Sequence, residues 1–134
     1  MKKVAVIMTV HNRKEKTMKC LSQIYSLNIP EDIKLDIYMT DDGCTDGTPV
    51  CVSENYPDVN IIEGDGTLFW NKGMYAAWCE ASKSEPDYYL WLNDDTFIYD
   101  DTLVKLLKES ASKADNAIII GSTCDTSTKS QITY

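Results

Sequence analysis

Long apolar runs are missing from this 134-residue chain, and nothing in it approaches the ~20 consecutive apolar residues needed to cross a bilayer. Basic residues are also scarce. Thirteen Lys and Arg against 21 Asp and Glu leave a net charge of −8, which repels nucleic acid and anionic lipid surfaces. An anionic ligand would need local cations or a metal to offset that field. The cysteines (Cys20, Cys44, Cys51, Cys79 and Cys124) contain no C-x-x-C pair and no metal-ligand spacing. Neither a disulfide framework nor a zinc site is indicated, and a reducing cytoplasm is the expected location. His11 is the one histidine. With no second histidine or cysteine nearby, it is expected to line a loop rather than to catalyse. The glycines form neither a P-loop nor a G-x-G-x-x-G, so no ready-made phosphate cradle is present. Met1-Lys2-Lys3 before Val4 to Met8 imitates a secretory signal, but the apolar run is too short and breaks into His11 to Lys16. Peripheral attachment to a membrane stays open.

What the chain does have is 43% hydrophobic residues, enough for one self-sufficient core. Apolar runs alternate with helical periodicities. Val4 to Met8 predicts a first strand, and Met18, Leu21, Ile24 and Tyr25 predict a helical stripe after it. Ile33 to Met39 predicts a second strand. Thr48-Pro49 then offers an N-cap and first-turn proline, and Pro57 a stop. Val59 to Ile62 is a short third strand. Met74, Ala77, Trp78 and Ala81 mark one helix face, and Tyr88 to Leu92 a fourth strand. Asp100 or Asp101 would cap a helix carrying Leu103, Leu106, Leu107, Ala111 and Ala114, with a fifth strand at Ala117, Ile118, Ile119 and Ile120. This order predicts a single domain over residues 1–134, a mostly parallel, Rossmann-like α/β sheet with helices on both faces. Ligands of such sheets bind at the carboxyl ends of the strands.

Two of those ends carry paired carboxylates, Asp41-Asp42 and Asp94-Asp95. Hard oxygen donors at strand tips suit Mg²⁺ or Mn²⁺, which complete their shells with water and phosphate. Either pair alone would equally serve as a turn or helix cap. Asp42-Gly43 and Gly64-Asp65-Gly66 permit positive φ and close backbone approach, to a ligand or simply to a neighbouring turn. Phe69, Trp70, Tyr75, Trp78, Tyr88, Tyr89 and Trp91 read mainly as core or helix packing. Trp70, beside Asn71 in an expected loop, is the candidate stacking platform.

Together, Thr9 to Arg13, TDDGCTDGT (Thr40 to Thr48), GTLFWNKGM (Gly66 to Met74) and YLWLNDDT (Tyr89 to Thr96) resemble the inverting glycosyltransferases of family 2, which have the GT-A fold. The resemblance covers the chain to about Gly121 and implies a nucleotide-sugar site. Thr9, His11, Asn12 and Arg13 would line the nucleotide pocket in the loop after strand one. Asp41 would accept the ring N–H of uracil or thymine, and Asp42 would support the loop or the ribose. Cys44 stands where the family has serine. Asn71 and Gly73 match the N-x-G segment, and Lys72 would approach the diphosphate or simply be solvated. Asn93-Asp94-Asp95 takes the place of the D-x-D signature. Asp95 is the expected metal ligand, with Asn93 and Asp94 in support.

The implied function is inverting, metal-assisted transfer of a sugar from a UDP- or dTDP-sugar to a glycan or other hydroxyl acceptor, as in polysaccharide biosynthesis. The general base of the family lies downstream of D-x-D, and the tail Thr123 to Tyr134 offers only Asp125. The catalytic residue is therefore unassigned, and the domain is expected to be C-terminally incomplete, without an acceptor site. A non-catalytic nucleotide-sugar-binding module is one alternative. A nucleotidyltransferase is another, though it would place a glycine-rich basic loop after strand one. A Mg²⁺-binding receiver domain would need its acidic pair at that same position, where His11-Asn12-Arg13 stands.

Overall fold

In the computed structural model, which describes residues 1–113 and 117–122, the first apolar run becomes β1 (Lys2–Val10), buried from Val4 to Met8. Such burial is what a central parallel strand requires. The elements that follow are α1 (Lys14–Tyr25), β2 (Ile33–Asp41), α2 (Thr48–Asn55), β3 (Asn60–Glu63), α3 (Phe69–Ser82), β4 (Tyr88–Trp91) and α4 (Thr102–Ala111). The four strands are all parallel, in the order β3-β2-β1-β4.

That order fixes where the helices go. From β1 to β3 the chain steps across the sheet one way, then returns past β1 to β4. Right-handed crossovers put the outgoing and returning helices on opposite faces. The packing agrees. Val4, Val6, Met8 and Val10 meet Cys20, Leu21 and Ile24 of α1, Val52 of α2 and Leu103 of α4. Ala5, Ile7 and Tyr38 meet Met74, Ala77 and Ala81 of α3.

Several expectations need correction. Residues 117–120 pair with no described strand, and Ile118 and Ile120 are exposed. An apolar run becomes a strand only through a partner edge, which periodicity cannot see. Thr9 and Val10 belong to β1 rather than to the loop after it. Asn71, Lys72 and Gly73 lie near the start of α3, not in a loop. Thr48 does not cap α2. Its backbone N–H and hydroxyl both donate to Asp46 Oδ1, while Asp46 Oδ2 accepts the Lys14 N–H at the start of α1. One side chain thus satisfies two helix starts, and the Thr48 hydroxyl chiefly holds its carboxyl below the ordinary range. Asp101 precedes α4 without a side-chain cap bond. Ala114, Cys124, Asp125 and the tail 123–134 lie outside the described residues. Among the described residues, no helix is long and apolar enough to cross a membrane.

Candidate functional site

Strand order reverses between β1 and β4, and the crevice outside their carboxyl ends is where parallel sheets receive ligands. Ile7 pairs with Trp91, so two residues later Asn93 stands at the height of Thr9. The loop 11–13 and the acidic stretch 93–95 therefore face each other across the switch.

The loop after β1 is tied to the loop after β2. His11 Nδ1 donates to the Asp42 carbonyl at 2.5 Å, which fixes the proton on that nitrogen. Asn12, at φ 49°, accepts from the Thr45 N–H at 2.7 Å and gives its own N–H to Cys44 Sγ. Cys44 Sγ in turn donates to Val10 O at 3.7 Å, so the thiol occupies a seat between the two loops.

Burial, followed by the Asp41 carboxylate, pushes the Cys44 thiol from 9.0 up to about 12, and burial pushes Cys20 up to about 11. At pH 8, iodoacetamide should label exposed Cys79 and leave both of these untouched, as read by mass spectrometry. Labelling of Cys44 as fast as Cys79 would contradict the seat assigned to it. The stability contributed by protonated Cys44 is complete below pH 9.0 and is lost as pH rises toward about 12.

The two aspartates that end β2 have different duties. Asp41 Oδ1 accepts the Cys44 N–H at 2.9 Å. Asp42 is 3% exposed, and both its oxygens are used. Oδ1 accepts the N–H groups of Gly66 and Leu68 at 2.9 and 3.1 Å, and Oδ2 accepts that of Phe69 at 2.8 Å. Of the two roles expected for Asp42, supporting the loop is the one its contacts match, and it also satisfies the start of α3. The loops touch through glycine. A Cβ on Gly43 (φ 67°) would stand 2.8 Å from Gly66 Cα, so these turns fit back to back rather than around a ligand.

At the end of β4, Asp94 is buried, and burial pushes its carboxyl above the ordinary range against the pull of Arg13. Thr17 Oγ1 donates to Asp94 Oδ2 at 3.5 Å. Asp95 is more open, its side chain 37% exposed. Arg13 Nη1 bridges the pair, 3.3 Å from Asp94 Oδ1 and 3.0 Å from Asp95 Oδ2. Asn93 Oδ1 accepts the Trp70 indole N–H at 2.8 Å. Among the described residues no three His, Cys, Asp or Glu converge into a metal cage. One accessible carboxylate of hard oxygens still fits Mg²⁺ or Mn²⁺, which bind through one or two carboxylates plus phosphate.

Gly73 has a packing role. A Cβ there would overlap Thr9 Oγ1 and come within 2.8 Å of Thr9 Cβ, and Thr40 Oγ1 donates to the Gly73 carbonyl at 2.7 Å. Asn71 and Lys72 point outward from the same turn.

Of the aromatic residues expected mainly in the core or in helix packing, few are in the core, while Trp70, the expected exception, is exposed. Phe69, Trp70, Tyr75, Trp78, Tyr89 and Trp91 are all exposed, and only Tyr88 packs against the interior. The reason is that α3 meets the sheet through Gly73, Met74, Ala77 and Ala81. Two of its large side chains reach β4, where Trp78 meets Tyr89 and Trp70 meets Trp91. Sequence reading missed the Arg13 bridge, the Trp70 bond to Asn93 and the double duty of Asp46. Asp-Gly-Thr-Pro before α2 is the one local signal that pointed to the last.

A four-stranded parallel α/β sheet with an acidic strand end at its switch point belongs to the Rossmann-like class of folds. Residues 5–131 match the family Glycosyl transferase family 2, and the chain belongs to that family. Its fold is accordingly of the GT-A, Rossmann-like type expected from the sequence. Among solved structures it is similar to the mannosyltransferase PcManGT from Pyrobaculum calidifontis in complex with GDP-Man and Mn²⁺. The two are 26% identical with a TM-score of 0.67, over 78% of this chain and 31% of that one. It also shares its fold with S. aureus TarS 1-349 in complex with UDP, at 20% identity and a TM-score of 0.62, over 91% of this chain and 39% of that one. The same protein with UDP-GlcNAc gives 18% identity and a TM-score of 0.61, over 91% of this chain and 38% of that one. The chain thus spans between 31% and 39% of the length of these structures. No curated protein matches it.

Proposed function

We propose that the chain supplies the donor site of a glycosyltransferase acting with inversion on a UDP- or dTDP-sugar and a hydroxyl acceptor such as a glycan, with Mg²⁺ or Mn²⁺ on Asp95. The observation that carries this reading is the open Asp95 carboxylate beside buried Asp94, facing the 11–13 loop across the switch crevice in a chain of this family. Family membership argues against the nucleotidyltransferase and receiver alternatives.

Each residue then has a physical task. With Oδ1 of Asp41 committed to Cys44, the one remaining oxygen suits a base that presents a single ring N–H, as uracil and thymine do. Guanine presents a parallel pair of donors and would want both oxygens. His11 and Asn12 hold the rim in shape, and Thr9 and Gly73 set the distance between β1 and α3. Asn93 gives Oδ1 to Trp70 and keeps its amide N–H groups for a ribose hydroxyl. Asn71 and Lys72, on the first turn of α3, take the diphosphate side. Asp42 and Asp94 hold the two strand ends in place. When bound, the cation supplies Lewis-acid stabilisation of the departing diphosphate. Inversion also needs a carboxylate to take the acceptor proton, and no residue of this chain is assigned that task.

Calorimetric titration with UDP, dTDP and GDP, with and without Mn²⁺, tests the site. Binding of UDP or dTDP should depend on Mn²⁺ and fall by about tenfold or more in Asp95→Ala. Metal-independent binding that ignores the substitution would overturn the assignment, and a preference for GDP would move the donor class. Sugar transfer by this chain alone would exclude the non-catalytic module and show that the chain holds its own base.

A further inference from the structure

Arg13 sits where the divalent cation should be. Its Nη1 lies 3.0 Å from Asp95 Oδ2, the more open carboxylate of the pair, and also touches buried Asp94. Two adjacent carboxylates at a strand end repel each other, and one guanidinium spanning both relieves that repulsion. A cation on Asp95 would stand within a few ångströms of the guanidinium, like charge against like. Arg13 must therefore leave for the cation to enter. It is able to do so: its side chain is 51% exposed and grows from the turn before α1 rather than from a packed element. It departs readily only toward another anion, and a planar guanidinium pairs well with phosphate oxygens.

We propose that Arg13 makes divalent-cation binding conditional on a nucleoside diphosphate: it holds the place of the cation on Asp95 until the diphosphate draws it away. The inference rests on the reading of Asp95 as the metal ligand. The cation alone has to displace Arg13 from both carboxylates and leave it unpaired, whereas with the diphosphate present the guanidinium exchanges those two contacts for phosphate ones. In a chain of net charge −8, this device also limits adventitious capture of cations at the acidic strand end.

The test is Mn²⁺ affinity, read by electron paramagnetic resonance of the free ion, with and without UDP. It compares the full chain with Arg13→Gln, Arg13→Lys and Asp95→Asn, with folding checked by circular dichroism. Without UDP, Arg13→Gln should bind Mn²⁺ roughly three- to tenfold more tightly than the parent, as loss of a partly exposed ion pair implies. The gain in Mn²⁺ affinity on adding UDP should shrink by a similar factor. Arg13→Lys, which keeps the charge but not the fork, should show the same changes to a smaller degree and decides the matter if Arg13→Gln fails to fold. Equal Mn²⁺ affinities for the parent and the Arg13 variants overturn the inference while leaving the donor site standing. Mn²⁺ affinity unchanged in Asp95→Asn overturns the metal assignment and the inference with it.

Discussion

Asp42→Asn is expected to destabilise the fold by about 2–4 kcal/mol and to lower Tm by roughly 10 °C, measured by thermal and urea unfolding. Asp42 is an acceptor on both oxygens, serving three backbone N–H groups in a buried position. An asparagine offers one oxygen. In either orientation its amide N–H₂ faces at least one backbone N–H, leaving donor against donor without water to intervene. Asp42→Ala strips all three partners and should cost more. The damage is not confined to stability. The loop from Gly64 to Phe69 and the start of α3 are released together, so nucleotide affinity should fall in the fraction that remains folded. A loss below about 1 kcal/mol in Asp42→Asn would show that the three bonds do not hold the loop.

Gly73→Ala is expected to cost about 2–4 kcal/mol, combining overpacking against Thr9 with a strained Thr40 hydrogen bond. The added methyl meets the Cβ of a β-branched side chain on a central strand, which rotation of the side chain cannot withdraw. The helix must lift instead, taking Trp70 off Asn93 and moving Asn71 and Lys72 outward. Space can be returned from the other side. In a double-mutant cycle with Thr9→Gly, the two substitutions should couple favourably by more than about 0.5 kcal/mol. Strict additivity would mean that the contact is relieved elsewhere.

The strands and helices were largely legible because each announces itself locally. β1 reads as a buried run, and the small residues of α3 fall at helical spacing. Asp41, Asp42 and Asp94 were recognisable as strand-end carboxylates, but their division of labour was not. Whether a carboxylate is aimed at a ligand or at backbone N–H groups depends on where a loop more than twenty residues away returns, as Gly66 to Phe69 do to Asp42. The same holds for Arg13 and Asp95, separated by 82 positions. The aromatics of α3 and β4 lie outside the core because hydrophobic character predicts burial only when a surface exists to bury against. The fifth strand failed for the related reason that pairing, not composition, makes a strand.

The crowding of exposed aromatics toward β4 has an optical consequence. All three tryptophans, Trp70, Trp78 and Trp91, are between 41% and 51% exposed, and none lies in either core cluster. The intrinsic emission of this chain therefore originates at its surface, from Trp70 bonded to Asn93 and from two other half-exposed indoles, and is already red-shifted by water in the native state. Unfolding should change its colour little, while a ligand settling against Trp70, as the proposed donor site would bring, should change it more, so emission would report occupancy of that site rather than folding.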